Sequence, residues 1–210
     1  MIEREGTLNL KNNINLKLYA SGGTLSSKNN DIKEEIKHVN DNKFDALKIR
    51  LDYRDIKTSL DRIEILKSSN CNFAIDLIYN TNHLNRSVSD ISKIINKEKI
   101  KNLLWIEEPV FPSSAGIDWD RNISYIKKIG YDIALGESMT SLTELQFLSL
   151  YEYVDLIQLD VTHNSDYVRL SSFLNINHNK KSFGIHNWGS LLGQIQNLIM
   201  LNYCKKINEI

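Results

Sequence analysis

Seven short apolar runs recur along this 210-residue sequence: INLKLYA, DALKIRL, CNFAIDLI, NLLWIEE, DIALGE, VDLIQLD and SFGIH. Each is short and apolar enough to read as a buried strand. Between them lie stretches with apolar residues three and four positions apart, among them DIKTSLDRIEILKSS, SVSDISKIINKEKI, DRNISYIKKIG and SLTELQFLSLYEY, and SLLGQIQNLIMLNYC comes after the last run. Strand alternating with helix requires crossover connections, so the strands run parallel and the helices cover the sheet. The expected class is α/β. The only two prolines, Pro109 and Pro112, sit in one loop, so no linker divides the chain.

Six of the runs close on a charged or titratable residue: Arg50, Asp76, Glu107, Glu137, Asp160 and His186. Their separations are 26, 31, 30, 23 and 26 residues, the length of one strand–helix unit with its loops. Side chains alternate along a strand, and parity gives these residues a common direction. Lys48 and Arg50 oppose Leu47, Ile49 and Leu51; Asp76 opposes Ile75 and Leu77; Glu107 shares a face with Leu103 and Trp105. In a closed parallel barrel the outer face packs on helices and stays apolar, while the inner face turns polar at the rim formed by the strands' C-terminal ends. Judged alone, each acid reads as a helix cap or a solvated loop residue, and His186 as a structural histidine. Jointly, three successive units ending in one acid each, flanked by units ending in bases, read as a site.

The chemistry of the set narrows its use. Asp76, Glu107 and Glu137 offer hard oxygen donors suited to Mg²⁺, which keeps open positions for substrate oxygens. No Cys or His joins them, which argues against zinc. His186 and the Lys48/Arg50 pair are placed to handle a proton. Lys+Arg 26 balances Asp+Glu 26, so no basic field points to nucleic acid. No apolar stretch reaches the roughly 18 residues of a membrane span, and the N-terminus lacks the apolar core of a signal peptide. Two cysteines, Cys71 and Cys204, imply no disulfide framework and suit a reducing cytoplasm.

The motifs KIR (48–50), FAID (73–76), WIEEP (105–109), GES (136–138), IQLD (157–160) and GIHNWGS (184–190) occur in one order at barrel spacing. Together they resemble the barrel domain of the enolase superfamily, mandelate racemase/muconate lactonizing enzyme subgroup, from YASGG near residue 20 to about residue 195. The resemblance implies a TIM-type (β/α) barrel over residues 14–210, preceded by an N-terminal extension, 1–13. Seven strands are readable, so the barrel is expected to be incomplete at its C-terminal end and to lack the family's capping domain. It implies Asp76, Glu107 and Glu137 as Mg²⁺ ligands, with Glu108 and Asn187 facing substrate. It implies His186 as the base on one face with Asp160 as its hydrogen-bonding partner, a ring nitrogen expected within about 3.2 Å of the carboxylate. Lys48 stands beside the developing charge, and Arg50 takes the place of the second lysine of the usual KxK motif. Two positions depart from the pattern: Ile78 replaces an amide of a DxN motif, and HNSD (163–166) replaces a Gly-Gly turn.

These roles together imply a Mg²⁺-dependent lyase. Its reaction is abstraction of the proton α to a carboxylate of a sugar acid, through a metal-stabilised enolate, with loss of a β-hydroxyl. Arginine is a poor base, which favours dehydration over racemisation or epimerisation of a 2-hydroxy carboxylate. The contrasting expectation is a truncated, catalytically incompetent barrel or inactive paralogue that persists as a homo-oligomer. Without the lid and an eighth strand, the 210 residues alone are expected to show little or no turnover on any sugar acid, even with Mg²⁺ bound.

Overall fold

In the computed structural model the described residues are 17–52, 55–77, 95, 100–110, 117–164, 166–177, 179–187 and 190–203. The strands are β1 (Tyr19–Gly22), β2 (Ala46–Arg50), β3 (Phe73–Asp76), β4 (Leu103–Glu107), β5 (Asp132–Leu135), β6 (Leu156–Leu159) and β7 (Ser182–Ile185). The described helices are α1 (Asn29–Asp41), α2 (Ile56–Lys67), α3 (Ile117–Lys128), α4 (Leu142–Leu150), α5 (Tyr167–Asn177) and α6 (Leu191–Tyr203). Strand order in the sheet follows chain order from β1 to β7, and the pairings are parallel. This is the α/β alternation expected, and it is consistent with an incomplete TIM-type barrel. Six of the seven apolar runs hold a strand, and β1 begins at the end of INLKLYA and runs on past it, the first residues of that run lying outside the described ones. Helix α1 occupies an interval for which the sequence reading names no helix, although Ile32, Ile36 and Val39 mark its buried stripe; α5 is a second such case. The helix expected over SVSDISKIINKEKI, and Ile78, lie outside the described residues.

The chain forms two compact units, Leu18–Ile133 and a second built on Ala134–Ile210. In the first, β2 is enclosed because both neighbours pair with it, and Leu47, Ile49, Phe73 and Ile75 are buried. Full burial of such a side chain is worth about 1.5–3 kcal/mol, so the strands carry much of the stability. Helix α2 starts at Asp55, whose carboxylate accepts the Thr58 N–H at 3.1 Å. On its inner face α2 buries Ile63 and Leu66, together with Arg62. The Arg62 guanidinium is held by carbonyls: it donates to Arg50 at 2.8 Å, Leu25 at 3.2 Å and Gly23 at 3.3 Å, and also to Ser27. A buried arginine is tolerated here because both of its terminal nitrogens meet carbonyl acceptors, although its Nε has none.

In the second unit β6 lies between β5 and β7, with Ala134 opposite Leu156 and Leu156 opposite Ser182. Ser141 opens α4 by accepting the Glu144 N–H at 3.3 Å, while Glu144 accepts the Ser141 N–H at 2.9 Å. This reciprocal box satisfies donors that a helix start leaves open. Phe173 of α5 meets Phe183 of β7 edge to face, ring centroids 5.8 Å apart, which fixes that helix on the sheet.

Candidate active site

Each unit carries one cluster of the residues expected at the rim. In the first unit the parallel register sets Arg50 opposite Asp76 and Asp76 opposite Glu107, so three strand ends deliver their charged groups side by side. Lys48, two residues before Arg50 and on the same face, reaches into the group. Its ammonium donates to Glu107 Oε1 and lies 3.9 Å from Asp76 Oδ2, and Arg50 Nε is 3.5 Å from that same Asp76 oxygen. Glu107 Oε2 accepts the Trp105 indole N–H at 3.1 Å, which confirms that Trp105 and Glu107 share a face. Tyr19 closes the cluster, its ring centroid 5.5 Å from Lys48 Nζ and 5.4 Å from the Trp105 ring. Burial disfavours the Lys48 ammonium, but Tyr19, Glu107 and Asp76 outweigh it and hold its pKa above the ordinary lysine range. Lys48 is therefore a fixed cation. Glu108, the next residue, is fully buried. Its φ of 43° is the left-handed region, a strained setting for a non-glycine residue that is common at functional sites.

In the second unit His186, Asp160 and Glu137 come together. His186 Nε2 lies 3.0 Å from Glu137 Oε2, and Nδ1 lies 3.4 Å from Asp160 Oδ2. Asp160 and His186 are neighbours, but their 3.4 Å contact is an ion-pair one and not the hydrogen bond within about 3.2 Å that was expected. Gly136 makes Glu137's position reachable. Its φ is 128°, and a Cβ there would stand 2.7 Å from the Gln158 carbonyl oxygen, so no other residue lets the end of β5 pass so close to β6.

Asp160 is held by neutral donors. Its Oδ1 accepts the Thr162 N–H at 2.9 Å, the Thr162 hydroxyl at 2.7 Å and the Asn197 amide at 3.3 Å. Burial raises the Asp160 pKa, but the Thr162 hydroxyl and N–H, the Asn197 amide and His186 outweigh it, leaving the carboxyl below its usual range. His163 Nδ1 stands 3.0 Å from the Glu137 carbonyl oxygen, so one ring nitrogen of this exposed histidine is committed to the Glu137 backbone. Asn187 comes directly after His186 and is exposed.

Sequence reasoning expected Asp76, Glu107 and Glu137 to converge and Asp160 to pair with His186 across from Lys48 and Arg50; the structure brings Lys48, Arg50, Asp76 and Glu107 into contact in one cluster and Glu137, Asp160 and His186 in another. Sequence reasoning missed Thr162, Asn197 and His163. Thr162 had a signal, since an Asp two residues before a Thr invites a local side-chain turn. Asn197 had one too, as a polar residue inside an apolar helical run. Among the described residues no group of three or more His, Cys, Asp or Glu side chains is gathered closely enough to hold a metal ion.

Residues 31–205 match the family described as enolase C-terminal domain-like. The chain belongs to this family. Solved structures of the enolase superfamily share its fold: a magnesium-bound racemase from Streptomyces coelicolor A3(2) is 19% identical with a TM-score of 0.73, covering 92% of this chain and 55% of the racemase. The 3,6-anhydro-D-galactonate cycloisomerase from Zobellia galactanivorans is 17% identical with a TM-score of 0.72, covering 95% of this chain and 54% of that enzyme. Human mitochondrial enolase superfamily member 1 is 16% identical with a TM-score of 0.73, covering 96% of this chain and 46% of the human protein. This enolase-type domain therefore spans about half the length of the structures it matches. No curated protein matches its sequence. No described helix is long and apolar enough to cross a membrane.

Proposed function

We propose that this enolase-type domain carries Mg²⁺-dependent lyase chemistry on a sugar acid, an acid-sugar dehydratase in which a proton α to a carboxylate is removed and a β-hydroxyl leaves as water. The observation that supports it most is the array in the second unit, an imidazole with Asp160 at Nδ1 and its other nitrogen directed at Glu137. An aspartate at Nδ1 favours a hydrogen on that nitrogen and makes Nε2 the basic one. The donor chemistry also fits a hard divalent ion. Asp76 and Glu107 are buried carboxylates brought side by side by strand register, and Glu137 would be the third ligand. When bound, the ion would supply positive charge to the substrate carboxylate and lower the cost of charge building there.

The protein's own groups account for the rest. His186 Nε2 takes the α-proton, and Asp160 steadies the imidazolium that results. Lys48, a fixed cation, offsets negative charge as the enolate forms. His186 then returns the proton to the departing β-hydroxyl oxygen. Glu108 and Asn187 would orient the substrate. Arg50 is engaged with Asp76, and a guanidinium is a poor base, which favours dehydration over racemisation of a 2-hydroxy carboxylate, since racemisation needs a base on both faces. The competing reading is an incompetent barrel that assembles with further copies of itself, in a reducing cytoplasm; it draws on the described carboxylates and histidines not gathering into a group that could hold a metal ion.

Titration calorimetry with Mg²⁺, followed by NMR of α-proton exchange in D₂O across a panel of sugar acids, tests the proposal. Exchange is a less demanding reaction than full turnover. Mg²⁺ binding and an exchange signal lost in His186→Asn are expected. Absence of both, in a folded protein, favours the incompetent barrel.

A further inference from the structure

Asn197 is 2% exposed and lies on α6, not at a strand end. Its amide is engaged on both sides. Oδ1 accepts the Val161 N–H at 3.1 Å, while Nδ2 donates to Asp160 Oδ1 at 3.3 Å and to the His186 carbonyl oxygen at 3.2 Å. The partners fix which end of the amide is which, because a backbone N–H must meet the oxygen and a carbonyl must meet the nitrogen. One side chain therefore ties the peptide after Asp160, the Asp160 carboxylate and the backbone of His186 to a single helix position.

Thr162 completes the arrangement from the other side. With its hydroxyl, its N–H and the Asn197 amide all on Oδ1, three donors sit on one oxygen of Asp160, and the second oxygen is the one directed at the His186 ring. A carboxylate held by one donor can rotate about its terminal torsion, which is broad and roughly two-fold. Held by three, it has one favoured orientation.

We propose that Asn197, with Thr162, is the positioning residue of the Asp160–His186 pair: it fixes the carboxylate rotation and the spacing of β6 from β7 so that Asp160 Oδ2 addresses His186 Nδ1. The inference deepens the lyase reading, in which His186 is the base, but its test reads the imidazole directly and needs neither metal nor substrate.

The experiment is NMR of the ¹⁵N-histidine-labelled protein at fixed neutral pH, with the His186 signals assigned by their loss in His186→Gln. In the unaltered protein the Nδ1–H resonance is expected downfield, with slow exchange against water. In Asn197→Leu the exchange should accelerate tenfold or more and the resonance move upfield. In Asn197→Asp, which keeps an acceptor for the Val161 N–H but loses the donor to Asp160, a similar change is expected. Thr162→Val, at an exposed residue, should give a smaller change of the same sign. Circular dichroism reports folding, and if both Asn197 variants fail to fold, Thr162→Val decides. An unchanged Nδ1–H signal in the folded variants overturns the proposal. Loss of Mg²⁺ binding or of α-proton exchange, with this NMR result intact, would strike the lyase reading and leave the positioning role standing.

Discussion

Replacing Lys48 by methionine removes one charge from the centre of the first cluster while keeping a side chain of similar length. Lys48 is 3% exposed, and Glu107, which accepts its hydrogen bond, is fully buried. Deleting one partner of a buried ion pair costs about 3–5 kcal/mol, chiefly because the remaining charge is stranded out of water. In a domain of this size each kcal/mol lowers the melting temperature by about 2–4 °C, so Lys48→Met should melt roughly 6–20 °C lower at neutral pH. The control is Lys67→Met, which breaks the Lys67–Glu64 contact of 3.0 Å on the surface of α2. Exposed pairs are worth about 0–1 kcal/mol, so that variant should melt within a few degrees of the parent. Adding Glu107→Gln to Lys48→Met removes the stranded charge and should recover part of the loss. Thermal denaturation followed by circular dichroism measures all four proteins. A Lys48→Met melting point within about 2 °C of the parent would refute the reasoning, and so would a double variant that melts lower than the single one.

Two further outcomes are expected in the second unit. Gly136→Ala should cost roughly 2–4 kcal/mol in urea unfolding, because it adds left-handed strain at φ 128° to a 2.7 Å clash with the Gln158 carbonyl; a loss below about 0.5 kcal/mol would contradict the close approach. Asp160 has a folded pKa below its unfolded value, so its contribution is complete above the ordinary carboxylate range near ~4 and is lost as pH falls through the lower folded value. Asp160→Asn should therefore show a flatter decline in stability than the parent below about pH 4, and equal slopes would remove the argument.

The strands from β2 onward were legible because burial leaves a short apolar run, whereas β1, only partly buried, overlaps the end of its expected run. Helix α1 was harder to see: Ile32, Ile36 and Val39 are few against the charged residues of DIKEEIKHVND, so its apolar stripe is narrow. The strand-end residues could be read because a strand fixes the direction of every second side chain, and because register then aligns Arg50, Asp76 and Glu107. What parity cannot convey is a contact made from a helix or a loop. Asn197 reaches Asp160 from 37 positions away in sequence, and only the docking of α6 on the sheet brings them together. The Trp105 hydrogen bond to Glu107 lay in between: the shared face was readable, the bond was not.

The two clusters hold their carboxylates by opposite means, and the difference reflects what each would have to do. Around Asp76 and Glu107 the balancing charges are Lys48 and Arg50, full cations that compensate the carboxylates and keep positive charge available where an anion develops. Asp160 has no lysine or arginine among its described hydrogen-bond donors; a hydroxyl, a peptide N–H and an amide hold it. Neutral donors keep the carboxyl ionised without cancelling its charge, so the field at His186 Nδ1 stays negative. A lysine in the place of Asn197 would hold Asp160 just as firmly and would spoil that field, making the imidazole a weaker base. Asparagine supplies the hydrogen bond alone, which is why the residue type at position 197 matters as much as its reach. Asn197→Asp keeps an acceptor and alters the charge while Asn197→Leu removes every hydrogen bond, so a similar change in both points to the one feature they share, the lost donor to Asp160.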